Sequence, residues 1–278
     1  MTIVEGASTI VSGSQGFLPA PGVRLGQCEI LRTGPQALVQ VEFDDGGTIL
    51  VGPDTGLVFG LPSAGEAVVG PHLLISGWIK VTVPKREKSP PYRIATPYFD
   101  LAIDAGVAAL RVTAEGGEVF VEQGQVAALG PDARAPVAVV AGRRYGRKSD
   151  QGSGATSAGA DPSFLQGMPR AFRDTLPSLL AQMKSRNVQP RPAGDYNHAD
   201  TESWQNGVVQ MRSCRADITV RNAQEALERN GLSVGPLDGI LGPRTRAALR
   251  EYQQRQRLTP SGQLDAQTLR ALDMVDQR

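Results

Sequence analysis

Histidine, cysteine and long apolar runs are scarce in this 278-residue chain, and each scarcity closes off a class of function. The two histidines lie in Gly70-Pro71-His72-Leu73 and Tyr196-Asn197-His198-Ala199-Asp200, with no His-x-x-His or His-Glu pattern beside either. A zinc peptidase needs about three protein ligands and a base, so no metal site is expected. No stretch of about 18 apolar residues occurs, which leaves no candidate for a membrane-spanning helix. The charges nearly cancel, with 29 Lys and Arg against 28 Asp and Glu for a net +1. A nucleic-acid binder carries a basic face and a strongly positive total, so no nucleic-acid partner is expected.

The two cysteines, Cys28 and Cys214, stand 186 residues apart. Spacing cannot show whether their Cα atoms come within the roughly 7 Å that a disulfide requires. Pairing stays open, and two buried or inert thiols are the expectation. The start, Met1-Thr2-Ile3-Val4-Glu5-Gly6, lacks the basic residues and apolar run of a secretory signal. No serine sits in a Gly-x-Ser-x-Gly elbow and no Gly-x-x-x-x-Gly-Lys-Ser/Thr phosphate loop occurs. Carboxylates are plentiful, but none pair off for glycosidase work. The chain reads as non-enzymatic, with no catalytic residues and no cofactor.

What is abundant is turn chemistry: 32 glycines and 20 prolines make up nearly a fifth of the chain. In Val39-Gln40-Val41-Glu42-Phe43, apolar and polar residues alternate with the period of a half-buried strand. Asp44-Asp45-Gly46-Gly47 turns the chain into Thr48-Ile49-Leu50-Val51, and Gly52-Pro53-Asp54-Thr55-Gly56 turns it again into Leu57-Val58-Phe59. Similar segments follow at Ile79–Val83, Phe99–Ile103, Ala109–Thr113, Val119–Glu122 and Val126–Leu129, with turns at Glu115-Gly116-Gly117 and Gln123-Gly124. Short strands at close spacing with no helix between them predict an all-β sandwich, barrel or solenoid over residues 1–141. The succession Leu31-Arg32-Thr33-Gly34, Val41 to Gly46, Gly52-Pro53-Asp54-Thr55, Gly77-Trp78-Ile79, Ala95-Thr96-Pro97 and Val121 to Val126 resembles the FecR-like domain of iron-siderophore signal transducers and other envelope proteins. That resemblance implies a sensing or scaffolding domain that works through protein contacts.

Residues 142–162 change character. Gly142-Arg143-Arg144-Tyr145-Gly146-Arg147-Lys148 is basic, and residues 151–160 are almost wholly Gly, Ser, Ala and Thr. Such composition buries too little apolar surface to offset its ordering entropy, so a flexible linker is expected. A helical connecting segment is expected over 163–216. There Phe172, Leu176, Leu179, Leu180 and Met183 fall at helical spacing while Pro169 and Pro177 interrupt the amide ladder.

From residue 217 to 278 the pattern is helical and orderly. Ala223, Ala226, Leu227 and Leu232 form an apolar stripe before Gly235-Pro236-Leu237-Asp238-Gly239-Ile240-Leu241-Gly242-Pro243-Arg244-Thr245. Asp238-Gly239 suits a turn needing positive φ, and Pro243 suits a first helical position. Ala247, Ala248, Leu249, Tyr252 and Gln253 continue the helix to Leu258-Thr259-Pro260. A shorter copy runs through Gly262-Gln263-Leu264-Asp265 into Thr268, Leu269, Ala271 and Leu272. The spacing of Gln224, Leu227, Asp238-Gly239, Gly242, Thr245, Ala248-Leu249, Tyr252-Gln253, Gly262, Asp265 and Thr268 closely resembles the peptidoglycan-binding domain family, a three-helix bundle. Leu232 and Ile240-Leu241 stand where that family commonly has aromatic residues.

The resemblance implies a muropeptide stem or adjoining glycan as ligand. The expected site is the surface where the Asp238 loop meets the second helix. Free amides there favour a carboxylate, Arg244 adds a charge-assisted hydrogen bond, and Leu232 and Ile240 supply apolar contact. Asp238, Gly239, Gly242 and Thr245 complete the candidate set. L,D-transpeptidases join a catalytic cysteine to this kind of module, but theirs follows a Ser/Thr-His-Gly triplet. Arg212-Ser213-Cys214-Arg215 has no adjacent base. The sequence therefore predicts a multidomain α+β envelope protein, held at the wall by its C-terminal module and located in the periplasm, with an export signal removed or outside this chain. The alternative is a periplasmic signalling protein whose module binds a protein instead of the wall.

Overall fold

The computed structural model describes residues 1–12, 15–60, 72–87, 89–149, 153–186, 188–193, 212–234, 241 and 243–272. They fall into two compact units, Met1–Leu25 with Glu29–Asp200, and Gly26–Cys28 with Thr201–Arg278. The first unit is β-structure and the second is helical, so the chain is a multidomain α+β protein.

The early strands are β1 (Ile3–Glu5), β2 (Ser8–Ser12), β3 (Gln15–Leu18), β4 (Ile30–Thr33), β5 (Leu38–Glu42), β6 (Thr48–Val51) and β7 (Gly56–Val58). Then come β8 (His72–Val83), β9 (Tyr92–Ala95), β10 (Asp100–Val112), β11 (Gly116–Leu129), β12 (Val137–Val140), β13 (Arg143–Lys148), β14 (Ala155–Ala158) and β15 (Arg191–Pro192). Among the described residues all pairings are antiparallel except that of β8 with β9.

β8, β10 and β11, of 12, 13 and 14 residues, are about twice the common strand length, and each serves two layers. In the front layer, the second half of β8 pairs with β6 and with the second half of β10. β1 and β5 extend that layer on one side, and the first half of β11, β13 and β14 extend it on the other. In the back layer, the first half of β8 pairs with β7 and β9. β4, β2, β3 and β15 continue it in one direction, and β10, β11 and β12 in the other. One core lies between the layers, with Ile10, Leu31, Leu57, Leu74, Ile94 and Leu101 from the back and Val39, Ile49, Ile79, Val81, Leu110 and Val119 from the front.

The strands change layer at glycines. Gly106 and Gly124 face each other across the β10–β11 pair at φ +141° and +76°. A Cβ at Gly106 would sit 2.3 Å from the Gln123 carbonyl oxygen, and one at Gly124 would sit 2.5 Å from that of Ala105. Register shifts flank the pair at Ile103/Ala105 and Val107/Ala108, the extra residues that bend an antiparallel ladder. The sequence pattern breaks at this point, so it predicts a Gln123-Gly124 turn between two short strands. The structure instead carries one long strand through a crease.

Two more expectations change. The segment read as a flexible linker contains β13 and β14, with Arg143 opposite Ala158 and Gly146 opposite Ala155. A ladder needs main-chain partners more than apolar side chains, and one aromatic anchors this one. Tyr145 is buried, edge-on to Phe99 at 5.3 Å. Among the described residues up to 193, the segment read as a helical connector is mostly a strap, with α1 (Pro162–Gly167), a 3-10 turn (Arg170–Phe172) and α2 (Leu180–Met183) helical in it; residues 212–216 are helical, as the start of a longer helix. Pro169 and Pro177 fall where helix is absent, as their missing amides require. The strap packs Phe164 and Phe172 onto Leu38, Leu50, Trp78 and Ala109 on the outer face of the front layer. It ends at β15, on the edge of the back layer. Residues 194–211 of the expected connector lie outside the described residues.

Cys28 is disulfide-bonded and not an inert thiol, and the chain holds one other cysteine, Cys214. His72 is a core residue between the rings of Phe43 and Phe59, at 5.4 and 5.3 Å. Its Nδ1 accepts from the Gly60 amide at 3.1 Å.

Burial holds His72 neutral, with its pKa lowered to about 4. Because the folded value lies below the ordinary one, this stabilisation is complete above about pH 6.5 and is lost as pH falls toward 4. A drop of about 3 kcal/mol across that window is expected in denaturant titrations, and a His72→Leu chain should lack that slope. Gly106→Ala should destabilise by about 1–3 kcal/mol. Gly142→Ala shares the positive φ with nothing within 4 Å of the added Cβ, and should cost about 1 kcal/mol. Equal losses for the two variants would refute the steric account of the crease.

Candidate functional site

The helical unit is built from α3 (Arg212–Arg229), α4 (Pro243–Arg255) and α5 (Ala266–Ala271). Ala223, Ala226 and Leu227 come from one face of α3, and Ala248, Leu249 and Tyr252 from one face of α4. They close on Leu232, Val234 and Leu272. The spacing of the two sets is that of a single helical stripe.

α3 and α4 stop in the same way. Gly231 takes φ +74° and the Leu232 amide reaches back to the Leu227 carbonyl at 3.0 Å. Arg257 takes φ +58° and the Leu258 amide reaches back to the Gln253 carbonyl at 2.7 Å. Both are the six-to-one bond of a helix ending on a left-handed residue.

A buried glutamine then ties each half together. Gln224 Nε2 donates to Thr245 Oγ1 at 3.0 Å. Gln253 Nε2 donates to Thr268 Oγ1 at 2.8 Å and to Ser261 Oγ and the Gln263 carbonyl at 3.0 Å, while its Oε1 accepts from the Gly262 amide at 2.8 Å. Gln224, Thr245, Gln253 and Thr268 are each at most 2 % exposed, so an unmade bond would leave a desolvated amide or hydroxyl. Tyr252 adds a hydrogen bond from its hydroxyl to the Ala271 carbonyl at 2.6 Å. Asp265 caps α5 by accepting from the Thr268 amide at 2.9 Å. That amide is the main reason its carboxyl lies below the usual range.

These facts sort the residues expected to bind ligand. Leu232 is 3 % exposed and belongs to the core, so it presents no surface for apolar contact, contrary to expectation. Thr245 is 2 % exposed and bonded to Gln224, so its role is likewise internal. Arg244 is exposed in the first turn of α4. Asp238, Gly239, Ile240 and Gly242 lie outside the described residues.

The glutamine anchors are what residue-by-residue reading missed. Their signal is present twice in the sequence, as a glutamine on one helix and a threonine early in the next.

In the β unit one cluster of polar contacts lies under the strap. Lys80 pairs with Glu122 at 2.8 Å and also donates to the Phe172 carbonyl. Gln40 donates to the Pro177 carbonyl at 3.1 Å, and Glu42 accepts from the Leu179 amide at 2.9 Å and from the Ser178 hydroxyl. Burial opposes the Glu42 charge, but those hydrogen bonds outweigh it and lower the carboxyl's pKa. Among the described residues no group of three or more His, Cys, Asp or Glu is arranged to hold a metal ion. No described helix is long and apolar enough to cross a membrane.

Comparison with known proteins bears on both units. Residues 218–272 match the family described as "Putative peptidoglycan binding domain", and residues 29–127 match "FecR protein". Over 116 residues, 41 % of the chain, the sequence is 42 % identical to the localization factor PodJL of Caulobacter vibrioides in strains NA1000 / CB15N and ATCC 19089 / CIP 103742 / CB 15. The chain spans 11 % of the length of those relatives. Two crystal structures of a "putative anti-sigma factor" from Parabacteroides distasonis ATCC 8503 share 14 % and 16 % identity, with TM-scores of 0.40 and 0.41. Those alignments cover 47 % and 50 % of this chain and 59 % and 64 % of theirs. Both matched families are non-catalytic kinds of domain. The chain joins a FecR-family region, residues 29–127, to a region of the peptidoglycan-binding domain family, residues 218–272.

Proposed function

We propose that this is a non-enzymatic envelope protein that binds peptidoglycan through its helical unit and uses its FecR region for protein contacts, as a sensor or scaffold. The observation that carries the reading is the peptidoglycan-binding match over residues 218–272, together with an internally rigid module. Arg244 opens α4, where the positive end of the helix dipole favours an anion. A muropeptide carboxylate meets that chemistry, with Asp238, Gly239, Ile240 and Gly242 as the neighbouring candidate contacts. The likeness to a localization factor favours a positional role over a catalytic one. A disulfide at Cys28 fits an oxidising compartment such as the periplasm.

A second reading has its own support. Leu232, Thr245, Gln224, Gln253 and Thr268 are all spent on the core, so the match at those positions reports the bundle and not a ligand. On this reading the module binds a protein and the chain is a periplasmic signalling component.

Sedimentation with purified sacculi separates the two. The full chain is expected to pellet with the wall, and Arg244→Ala to weaken binding roughly tenfold or more, the size of one lost charge-assisted hydrogen bond. A chain that stays in the supernatant overturns the wall-binding reading. Unchanged pelleting of the variant removes Arg244 from the site. Release of soluble muropeptides by the purified chain would overturn the non-enzymatic assignment.

A further inference from the structure

The strap crosses the front layer without joining it. Among the described residues between β14 and β15 none contributes a strand, so lifting residues 161–179 would break no ladder hydrogen bond. What holds the strap is a different set of contacts. Phe164 and Phe172, eight positions apart, are each 0 % exposed. Trp78 packs against Phe164 at 4.9 Å between ring centres, and Leu38, Leu50 and Ala109 complete the apolar floor.

The polar contacts mostly address main chain. Lys80 donates to the Phe172 carbonyl, Gln40 donates to the Pro177 carbonyl, and Glu42 accepts from the Leu179 amide. Arg144 adds one ion pair, to Asp161 at 3.3 Å. Both anchors sit on short helical turns, Phe164 in α1 and Phe172 in the 3-10 turn, so this face holds a folded segment by two rings and by its main chain. Pro162, Pro169 and Pro177 keep the occupant from forming one continuous helix, so its carbonyls stay available to Lys80 and Gln40.

The charged side chains of the floor have partners outside the strap. Lys80 remains paired with Glu122 at 2.8 Å, Arg144 with Glu118 at 3.3 Å, and the Arg111 guanidinium lies over Trp78 at 5.2 Å. Removing the strap therefore leaves Lys80 and Arg144 each with a carboxylate partner, so neither becomes an unpaired charge.

We propose that the outer face of the front layer is a peptide-recognition groove that the chain fills with its own residues 161–179. A partner protein then engages it by inserting a proline-interrupted segment with two aromatic anchors in place of the strap. The tethered strap competes at high effective concentration, so the groove opens only to a partner that outbids it or after the strap has been weakened. The inference is independent of wall binding.

The test uses the full chain and a fluorescent synthetic peptide of residues 160–180. Phe172→Ala in the chain loosens the strap at one anchor and leaves the floor unchanged. The peptide is expected to bind this variant by anisotropy and to raise its thermal midpoint. Binding to the parent chain should be at least about tenfold weaker, because the tethered strap occupies the groove. A peptide with both phenylalanines replaced by alanine should not bind. No binding to Phe172→Ala while its β-sheet circular dichroism is intact overturns the proposal. Should that variant lose its β-signal, the milder Phe172→Leu chain serves in its place. If both lose it, failure of excess peptide to restore the signal overturns the proposal equally.

Discussion

Gly106 and Gly124 face each other in one hairpin, and the backbone at that point tolerates no side chain on either strand. The rest of the N-terminal unit depends on this crease. Two long strands turn the corner together, and the third, β8, crosses beside them with Gly77 at φ +90°. Because the same strands continue into both layers, one half of each faces the other half across a single core. The short strands need only add to edges that the long ones define. Without the crease, β10 and β11 would be a flat ribbon with two wet faces, and Trp78 and Leu50 would have no platform on which to receive the strap.

Much of this was legible in the sequence, and the failures have a common cause. Alternation identified β5, β6, the second half of β8 and both halves of β10 and β11 correctly, because a half-buried strand imposes a period of two. It could not join the halves, since a positive-φ glycine interrupts the period in the same way as a turn does. Composition misread residues 142–162 for a related reason. Low apolar content argues against a core, but Tyr145 alone supplies the anchor and main-chain pairing supplies the rest. The strap was misread as a connector because Phe164 and Phe172 find their partners on β5, β6, β8 and β10, more than 50 residues earlier in the chain. No local pattern encodes that.

In the helical unit the family resemblance rested on spacing, and the structure gives most of that spacing an internal purpose. Gln224 with Thr245 and Gln253 with Thr268 are paired hydrogen-bonding devices, repeated in the two halves of the module. Leu232 closes the core where a surface contact was expected. A motif can mark a fold so strongly because its residues are buried, and for the same reason it says little about the exposed residues that would touch a ligand. Of the expected site residues, Arg244 is the described one that keeps a free surface.

The Gln253 side chain has one more consequence. Its amide reaches Gly262, Gln263, Ser261 and Thr268, sharing two N–H groups among three acceptors, so side-chain bonds from Gln253, with those of Ser261 and Asp265, hold the loop between α4 and α5 in place of a ladder. Irregular chain of this kind ordinarily samples many conformations, and a ligand must then freeze one of them. A loop tied by these bonds has less freedom left to lose on meeting a ligand than an untied one. A small bundle with a modest interior can in this way present a stiff face.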